Sequence, residues 1–350
     1  MRIGTRRRLG VLGWVLIAST LLGSVYGTLL NIAAYGTLSF GIPIGAIHGF
    51  LLGSSIGLLE IFWTRSRPGR AVEQAPFLVT LLVKVLIYGS LITFVNVVEP
   101  GSRLLHVPLG TESLQLVSVI FSFVATGAFL FMLQISQIMG GRTLRDWVLG
   151  RYHRPRREDR FFLFVDIMGS TALAERIGPV GVHHFLNRVF LLASDPVDDY
   201  RGEIYQYVGD EMVITWTGKA GRVGARPLRC FAAIEAALEA TATDFVQYLG
   251  VAPRVRGALH YGPVVVGEVG GRKRAIVFHG DVMNTTARLE QVARELDRRL
   301  VVSADAWHQL AETDQSTLED LGTQVLRGRA SPVQIYGVGA MVNPGRLSNR

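Results

Sequence analysis

The chain has 350 residues, of which 49% are hydrophobic and 18% charged, and its formal net charge is +8. This length has room for two or more domains. The single cysteine, Cys230, excludes an intrachain disulfide and a cysteine-rich metal site, and it suits a reducing compartment.

Four long apolar runs dominate the N-terminal part of the chain. A helix needs about 20 residues to cross a hydrocarbon core, and each run is longer than that. Short segments join the runs. They predict four membrane-spanning helices rather than buried core helices. The first run is too long for a cleaved signal peptide and has no clear cleavage pattern. The runs are Leu9–Tyr35, Leu38–Trp63, Pro76–Val98 and Leu116–Met139.

The arginines predict how these helices are oriented. Basic clusters precede the first run, follow the second and follow the fourth, whereas the two other connecting segments have few basic residues. By the positive-inside rule, both termini and the part after the fourth run are cytoplasmic, in a multi-pass protein of a bacterial-type plasma (inner) membrane. Arginines beside the membrane also explain the net charge, so we expect a lipid membrane as partner and no nucleic acid.

The third apolar run contains a lysine, Lys84, whose presence in a membrane-spanning segment has to be explained. Lys84 lies where its ammonium group can reach the interface by snorkelling along the helix. We expect this structural role, and a functional intramembrane lysine is the alternative.

After Arg142 the pattern becomes that of a soluble α/β protein. The elements follow the order β-α-α-β-β-α-β and then β-α-β, with a closing hairpin. This order predicts a ferredoxin-like core with additions. The predicted fold class is therefore an α-helical membrane domain plus an α+β ferredoxin-like domain.

Glycine and proline set several predicted boundaries in this half. Pro155 is expected to end the helical part of the connector, and Pro196 the helix that begins near Val180. Gly262 and Pro263 are expected to form a turn between two short strands. Two further predicted elements are a buried strand at Phe161–Ile167 and one helix at Pro227–Leu249.

Two aspartates are predicted to meet at one end of the sheet. Asp166 ends the run FFLFVD, and Asp210 lies at the tip of a hairpin predicted for Tyr205–Trp216. A ferredoxin-like core places its first strand beside the central hairpin. Paired carboxylates suit Mg²⁺ or Mn²⁺, with substrate phosphates completing the coordination. Two such ions can clamp an in-line phosphoryl displacement, and the absence of a Walker A motif disfavours a P-loop ATPase.

Five motifs, in matching order and spacing, resemble those of the class III nucleotidyl cyclase catalytic domain. They are FVDIMGST, YVGDE, LHYGPVVVGEVG, GDVMNTTAR and VLRGRASPVQIYGV, and the resemblance covers about Phe161–Gly339. The predicted division is a four-helix transmembrane domain at 1–139, a connector at 140–160, the catalytic domain at 161–340 and a tail at 341–350.

The resemblance implies a reaction and a metal site. Asp166 and Asp210, with the backbone carbonyl of Ile167, would bind two divalent cations per site, either Mg²⁺ or Mn²⁺. The ribose 3′-hydroxyl of ATP would attack the α-phosphate, giving cyclic AMP and pyrophosphate.

Further residues take their roles from the same resemblance. Asn284 would orient the ribose, Arg288 would stabilise charge on the α-phosphate, and Arg327 would contact the triphosphate. Asn284 and Arg288 are four residues apart, so on a helix they share a face. Class III domains form head-to-tail dimers with shared active sites, so a homodimer is expected. The phosphates would lie on the backbone N–H groups at a helix start, at Met168, Gly169, Ser170 and Thr171.

Two base-reading positions depart from the family pattern. Gln206 stands where lysine is usual for adenine and glutamate for guanine, and Val277 stands where a polar residue is common. Glutamine can donate or accept, and valine can do neither. ATP is the expected substrate, and GTP or another nucleotide stays open.

Three other functions compete with this interpretation. The stretch VGDEM, Val208–Met212, is similar to the GGDEF loop of diguanylate cyclases, but Val208 replaces the first of the two glycines that this loop needs. A nucleotide-binding receptor with a dead cyclase domain would fit the altered base readers, although the metal and transition-state residues are present. A four-span channel with a regulatory tail is the third alternative.

Overall fold

The chain divides into two compact units, Met1–Met139 and Gly140–Arg350. The computed structural model describes residues 3–36, 41–63, 66–73, 75–98, 140–272, 274–310, 318–327 and 332–340, with scattered positions between 116 and 135. In these parts the first unit is helical, and the second contains a mixed β-sheet with helices against it.

The described part of the first unit contains three helices that are long and apolar enough to cross a membrane. They correspond to the first three predicted spans. Of the fourth predicted span, Leu116–Met139, the structure describes only scattered positions, and these are helical. The helices are α1 (Ile3–Tyr35), α2 (Gly41–Trp63), a short α3 (Arg67–Glu73) and α4 (Phe77–Val98), and the three candidate spans are α1, α2 and α4.

Helices α1 and α2 pack with their backbones in close contact. A Cβ atom added at Gly45 would collide with the backbone of Gly23, and one added at Gly49 would collide with the backbone of Ser19. Small residues that allow such an approach are typical of helix packing in membranes. The repeat that makes this face has a glycine at every fourth position of α2, namely Gly41, Gly45, Gly49, Gly53 and Gly57.

Lys84 lies within α4 and is 5% exposed. Its side chain is buried in the helical unit, so the snorkelling expectation is wrong for this structure. A charge in such a place is costly unless it is compensated, and Lys84 does have an interaction partner.

The second unit is built on one eight-stranded sheet in its described residues. The strand order is β2-β3-β1-β4-β6-β8-β7, and β5 pairs with β4. β1 is antiparallel to both β3 and β4, whereas β4 and β6 are parallel. The strands are β1 (Arg156–Ile167), β2 (Glu203–Val208), β3 (Glu211–Thr217), β4 (Val255–Val269), β5 (Ala275–His279), β6 (Arg298–Ser303), β7 (Glu319–Gln324) and β8 (Val333–Ala340).

Helices flank this sheet, and the mixture confirms the predicted α+β class. The first of them precedes β1, and three follow one another between β3 and β4. They are α5 (Gly141–Val148), α6 (Ser170–Asp199), α7 (Gly218–Arg222), α8 (Arg226–Glu239), α9 (Ala242–Leu249), α10 (Asp281–Glu295) and α11 (Ala304–Trp307).

β1 is buried on both faces, which explains its unbroken apolar sequence. Side chains alternate between the faces of a strand. Phe161, Leu163, Val165 and Ile167 join the core that includes residues of α6 and α8. Phe162 and Phe164 join a second core on the other face, with Val282 of α10. Asp166 alternates along β1 with the same spacing as Phe162 and Phe164, so its side chain lies on the same face of the sheet as theirs. We call this side of the sheet the α10 face.

Three predicted boundaries are wrong because tertiary contacts override local signals. The helix that was expected to end at Pro196 continues through it to Asp199, whereas the break before Val180, at Gly178 with φ 73°, agrees with the predicted start of that helix. Helix α8 stops at Glu239, so the predicted single helix is two. β1 begins at Arg156 rather than Phe161, and part of the predicted connector is therefore strand.

The expected turn at Gly262 and Pro263 is also absent. β4 continues through both residues and pairs with β1 from Val255 to Val266. On its other edge, these two positions fall between the stretch that pairs with β6 and the stretch that pairs with β5. A proline, which lacks an N–H donor, is tolerated in a strand at such an unpaired position.

A buried arginine joins the connector to the sheet. Arg160 is 3% exposed, and its guanidinium binds Glu158 at 2.9 Å, Glu203 of β2 at 3.4 Å and the Tyr152 hydroxyl at 3.2 Å. The Tyr152 hydroxyl donates to Glu158 at 3.1 Å, and the Thr143 hydroxyl of α5 donates to Glu203 at 3.3 Å. We call these residues the Arg160 cluster; they connect α5 to the two strands that lead to Asp166 and Asp210.

We expect the Arg160→Met substitution to destabilise the second unit by about 3 kcal/mol, because removing the buried guanidinium leaves the partly buried carboxylates of Glu158 and Glu203 uncompensated. Urea denaturation of the full chain in detergent, followed by near-ultraviolet circular dichroism, measures the change.

The matched control is Arg156→Met, because Arg156 is exposed at the start of the same strand. It should shift the free energy of unfolding by less than about 0.5 kcal/mol. Equal unfolding midpoints for the two variants would show that the Arg160 cluster adds no stability.

Candidate active site

Asp166 is held at the end of β1 by strands on both sides. It lies opposite Glu211 in the ladder with β3 and opposite Arg256 in the ladder with β4. Residues directly opposite in an antiparallel pair have neighbouring side chains on the same face. Asp166 is 7% exposed, so its carboxylate is held in place on the α10 face of the sheet, beside Glu211.

Asp210 is brought to the same place by a tight hairpin. Only Gly209 and Asp210 separate β2 from β3, and Gly209 has φ 63°, a conformation that glycine adopts at little cost. The Ile167 N–H donates to the Asp210 backbone oxygen at 3.3 Å. The Ser170 hydroxyl, at the start of α6, donates to the Asp210 carboxylate. The predicted meeting of the strand end and the hairpin tip is therefore present.

Three charged residues that were not predicted from the sequence lie beside Asp166 and Asp210. Glu211 follows Asp210 directly, and Glu290 and Arg294 are one turn apart on α10. Arg294 Nη2 is 3.1 Å from Asp166 Oδ2 and 2.9 Å from Glu290 Oε1. The acidic pair in GDE and the four-residue spacing were signals, but only the fold shows that α10 ends beside β1. We call Asp166, Asp210, Glu211 and Glu290 the acidic cluster.

The acidic cluster carries more negative charge than its surroundings compensate. Burial, together with the carboxylates of Asp210 and Glu290, raises the pKa of Asp166 to about 6. Burial, together with Glu290, Asp166 and Asp210, raises the pKa of Glu211 to about 7. Crowded carboxylates of this kind are relieved by a bound cation.

The donors present fit a hard divalent cation. No group of three or more His, Cys, Asp or Glu side chains in the described residues is arranged to hold a metal ion. Mg²⁺ is nonetheless usually bound by one or two carboxylates together with substrate phosphates and waters. Asp166 and Asp210, with the carbonyl of Ile167 beside them, match that smaller protein contribution.

The start of α6 offers backbone donors next to these carboxylates. Gly169 precedes the helix with φ 74°, and no side chain caps its first turn. Ser170 and Thr171 are of residue types that often cap a helix, but Gly169 occupies the capping position instead. The Met168 N–H donates to the Arg254 carbonyl at 2.9 Å, so three of the four predicted phosphate-binding N–H groups remain.

Asn284 and Arg288 lie on the first two turns of α10. Asn284 is exposed and Arg288 is half-buried. The Arg288 Nη1 atom is buried and has no hydrogen-bond partner in the described part of the chain. The midpoints of the pairs Asn284–Arg288 and Glu290–Arg294 are six residues apart on α10. At 3.6 residues per turn and 1.5 Å per residue, the two pairs point about 120° apart around the helix axis and lie about 9 Å apart along it. The structure therefore does not bring Asn284 and Arg288 to the Asp166 of the same chain.

The two base-reading candidates lie on β2 and β5, two strands that do not pair with each other. Gln206 is an exposed residue of β2, beside an irregularity in the ladder after Ile204. Val277 lies in β5, opposite Gly267 of β4. Their chain neighbours Tyr205 and Phe278 are in ring contact with centroids 4.7 Å apart, which places both candidates in one region.

Arg327 is exposed in the turn after β7. Three strands, β4, β6 and β8, separate β7 from β1. Four strand spacings are about 19 Å. Arg327 is thus not brought to the acidic cluster of its own chain.

The raised pKa of Glu211 predicts a pH-dependent stability. When folding raises the pKa of a carboxyl group, the group's contribution to stability is fully present at pH values below its unfolded-state pKa. That contribution is lost as the pH rises through the folded-state pKa, which for Glu211 is about 7. In the presence of a chelator, we expect Glu211→Gln to melt at a higher temperature than the wild type at pH 8. The difference should shrink toward pH 5.

Thermal melts of the full chain at pH 5, 6, 7 and 8 measure this. Glu239→Gln, at an exposed position of α8, is the control and should follow the wild type throughout. A Glu211→Gln melting temperature below the wild type at pH 8 would contradict the prediction.

Comparison with known proteins identifies the family of this chain. The family model described as the adenylate and guanylate cyclase catalytic domain matches residues 154–339. Adenylate cyclase 2 of Rhizobium meliloti (strain 1021) is 33% identical over 305 residues, covering 85% of this chain and 83% of that protein. Adenylate cyclase 1 of the same strain is 30% identical over 191 residues, and the match spans only 28% of that protein.

Among solved structures, a bacterial light-regulated adenylyl cyclase superposes with a TM-score of 0.52 at 20% identity, covering 65% of this chain and 66% of that one. At this identity the likeness concerns the fold alone. The family match and the R. meliloti relative carry the assignment: this chain belongs to the adenylate and guanylate cyclase family, class III, and is a phosphorus–oxygen lyase.

Proposed function

We propose that the chain is a membrane-anchored adenylate cyclase that converts ATP to 3′,5′-cyclic AMP and pyrophosphate. The observation that carries this proposal is the meeting of Asp166 and Asp210 in a buried cluster with excess negative charge. ATP is favoured because the relative that matches most of this chain's length bears the name adenylate cyclase.

Each proposed step uses residues whose positions suit it. Asp166, Asp210 and the Ile167 carbonyl would hold Mg²⁺ or Mn²⁺, two ions per site. These ions would activate the ribose 3′-hydroxyl and neutralise charge on the triphosphate. The N–H groups of Gly169, Ser170 and Thr171 would bind phosphate oxygens at the start of α6.

The remaining groups would come from a second copy of the chain. Asn284 would orient the ribose, and Arg288 would neutralise charge that develops on the α-phosphate. A buried guanidinium nitrogen without a hydrogen-bond partner is costly, and a phosphate oxygen would satisfy Arg288 Nη1. Since this pair points away from the acidic cluster of its own chain, a two-fold homodimer would supply each site from both copies. Arg327 would reach the triphosphate in the same way.

The membrane part of the proposal rests on α1, α2 and α4. With a fourth span at 116–139, the basic segments would place both termini and the catalytic domain in the cytoplasm. The connector at 140–160 would then join the two domains, although β1 already begins at Arg156. The segment at 341–350 stays a predicted tail.

A product assay tests the reaction. The full chain in lipid nanodiscs is given ATP, GTP, CTP and UTP separately with Mn²⁺, and the products are separated by chromatography. We expect cyclic AMP from ATP and its loss in Asp210→Ala, because a ligand of the proposed metal site is removed.

The other outcomes are equally informative. A different cyclic nucleotide would keep the cyclase chemistry and overturn ATP as the substrate, which the departures at Gln206 and Val277 make a serious alternative. No product from any nucleotide would support a receptor with a dead cyclase domain.

Complementation tests the shared site. Asp166→Ala and Asn284→Ala should each be inactive, since each removes one half of every site. Mixed in equal amounts before assembly, they should recover about a quarter of the wild-type activity, because half of the dimers are mixed and each mixed dimer has one intact site.

The matched control mixes Asp166→Ala with Asp210→Ala. Both substitutions affect the same half of the site, so no mixed dimer has an intact site. Equal recovery in the two mixtures, or activity of either variant alone, would contradict a site shared in this way.

A further inference from the structure

We propose that Arg294 is a displaceable counter-cation of the acidic cluster: it occupies the Asp166 carboxylate in the absence of metal, and metal binding must release it. The inference concerns a positioning residue and rests on the proposed function, because it takes Asp166 to be a metal ligand.

The contacts place one nitrogen between two fixed acids. Arg294 Nη2 lies 3.1 Å from Asp166 Oδ2 and 2.9 Å from Glu290 Oε1. The Asp166 and Glu290 side chains are 10% and 9% exposed, whereas the Arg294 side chain is 60% exposed. The acids are therefore held by packing, and the arginine reaches them from the surface.

The other cation near Asp166 is not free to move in this way. Arg256 is 6% exposed, and its guanidinium donates to the Arg298 carbonyl at 3.2 Å and to Asp297 at 3.2 Å. Arg294 lies near the end of α10, and its long, exposed side chain can swing into solvent while the helix stays in place.

A metal ion and this guanidinium compete for the same oxygen. Hard divalent cations bind carboxylate oxygens directly at short distance, and Asp166 Oδ2 is the atom that Arg294 occupies. A positive charge left beside a divalent ion would also repel it. Release of Arg294 from Asp166 should therefore accompany binding, with Glu290 remaining as its partner.

The same contact has a function in the protein without metal. The four acids of the acidic cluster repel one another, and Arg294 partly compensates that charge. Removing Arg294 should lower the stability of the metal-free protein and raise its affinity for the metal. If Arg294 instead only orients Asp166 for binding, its removal would lower the affinity, so the two roles predict opposite signs.

The experiment measures Mn²⁺ binding to the full chain in lipid nanodiscs, from the electron paramagnetic resonance signal of free Mn²⁺. We expect Arg294→Gln to bind Mn²⁺ at least about fivefold more tightly than the wild type, the lower end of typical coupling between two sites. Its melting temperature in chelator should be lower, and saturating Mn²⁺ should raise that temperature more than in the wild type.

Three further variants identify the cause. Arg294→Lys keeps the charge and should bind Mn²⁺ more nearly like the wild type than like Arg294→Gln. Arg299→Gln removes an arginine that pairs with Glu235, outside the acidic cluster, and should leave the affinity unchanged. In the Asp166→Asn background, Arg294→Gln should have no effect, because the ion that it competes with is no longer bound there.

The role of Arg294 and the proposed function can be contradicted separately. If wild-type binding depends on Asp166 but Arg294→Gln binds Mn²⁺ equally or less tightly, the role of Arg294 is overturned and the proposed function stands. If the wild type has no Asp166-dependent Mn²⁺ site, both are overturned.

Discussion

The pairing of β1 with β3 is the constraint on which the site depends. It places Asp166 opposite Glu211 and brings the hairpin tip beside the end of β1. The ladder with β4 fixes the other side of the strand along its full length. Two carboxylates that repel each other are thereby held together by backbone hydrogen bonds and by core packing. Folding creates a site with excess negative charge, which a bound cation relieves.

The two ends of β1 carry different chemistry on the same face of the sheet. Arg160, near the start of the strand, is compensated by Glu158 and Glu203, and its guanidinium also lies over the Phe278 ring. Asp166, near the end, has only partial compensation from Arg294 and Arg256. The first arrangement suits a structural contact between the connector and the sheet. The second suits a ligand-binding site, because charge that the protein leaves uncompensated is available to a ligand.

Helix α10 serves two separate purposes along its length. Its last turns place Glu290 and Arg294 against Asp166, whereas its first turns direct Asn284 and Arg288 elsewhere. A rigid helix cannot turn both pairs toward one point, since their directions differ by about 120°. The proposed homodimer resolves this geometry, because a second copy provides the acidic cluster that the first pair lacks. The activity of each copy would then depend on its neighbour.

From the amino-acid sequence we could predict the apolar helices, the α+β class and the meeting of Asp166 and Asp210, because these follow from local periodicity and from motif order. It also contains the glycine repeat of α2, whose use in packing against α1 appears only in the structure. Three features could not be predicted in this way. β4 continues through Pro263, the site includes Glu211, Glu290 and Arg294, and Asn284 and Arg288 face away from it. These features depend on contacts between segments far apart in the chain, which no local pattern specifies.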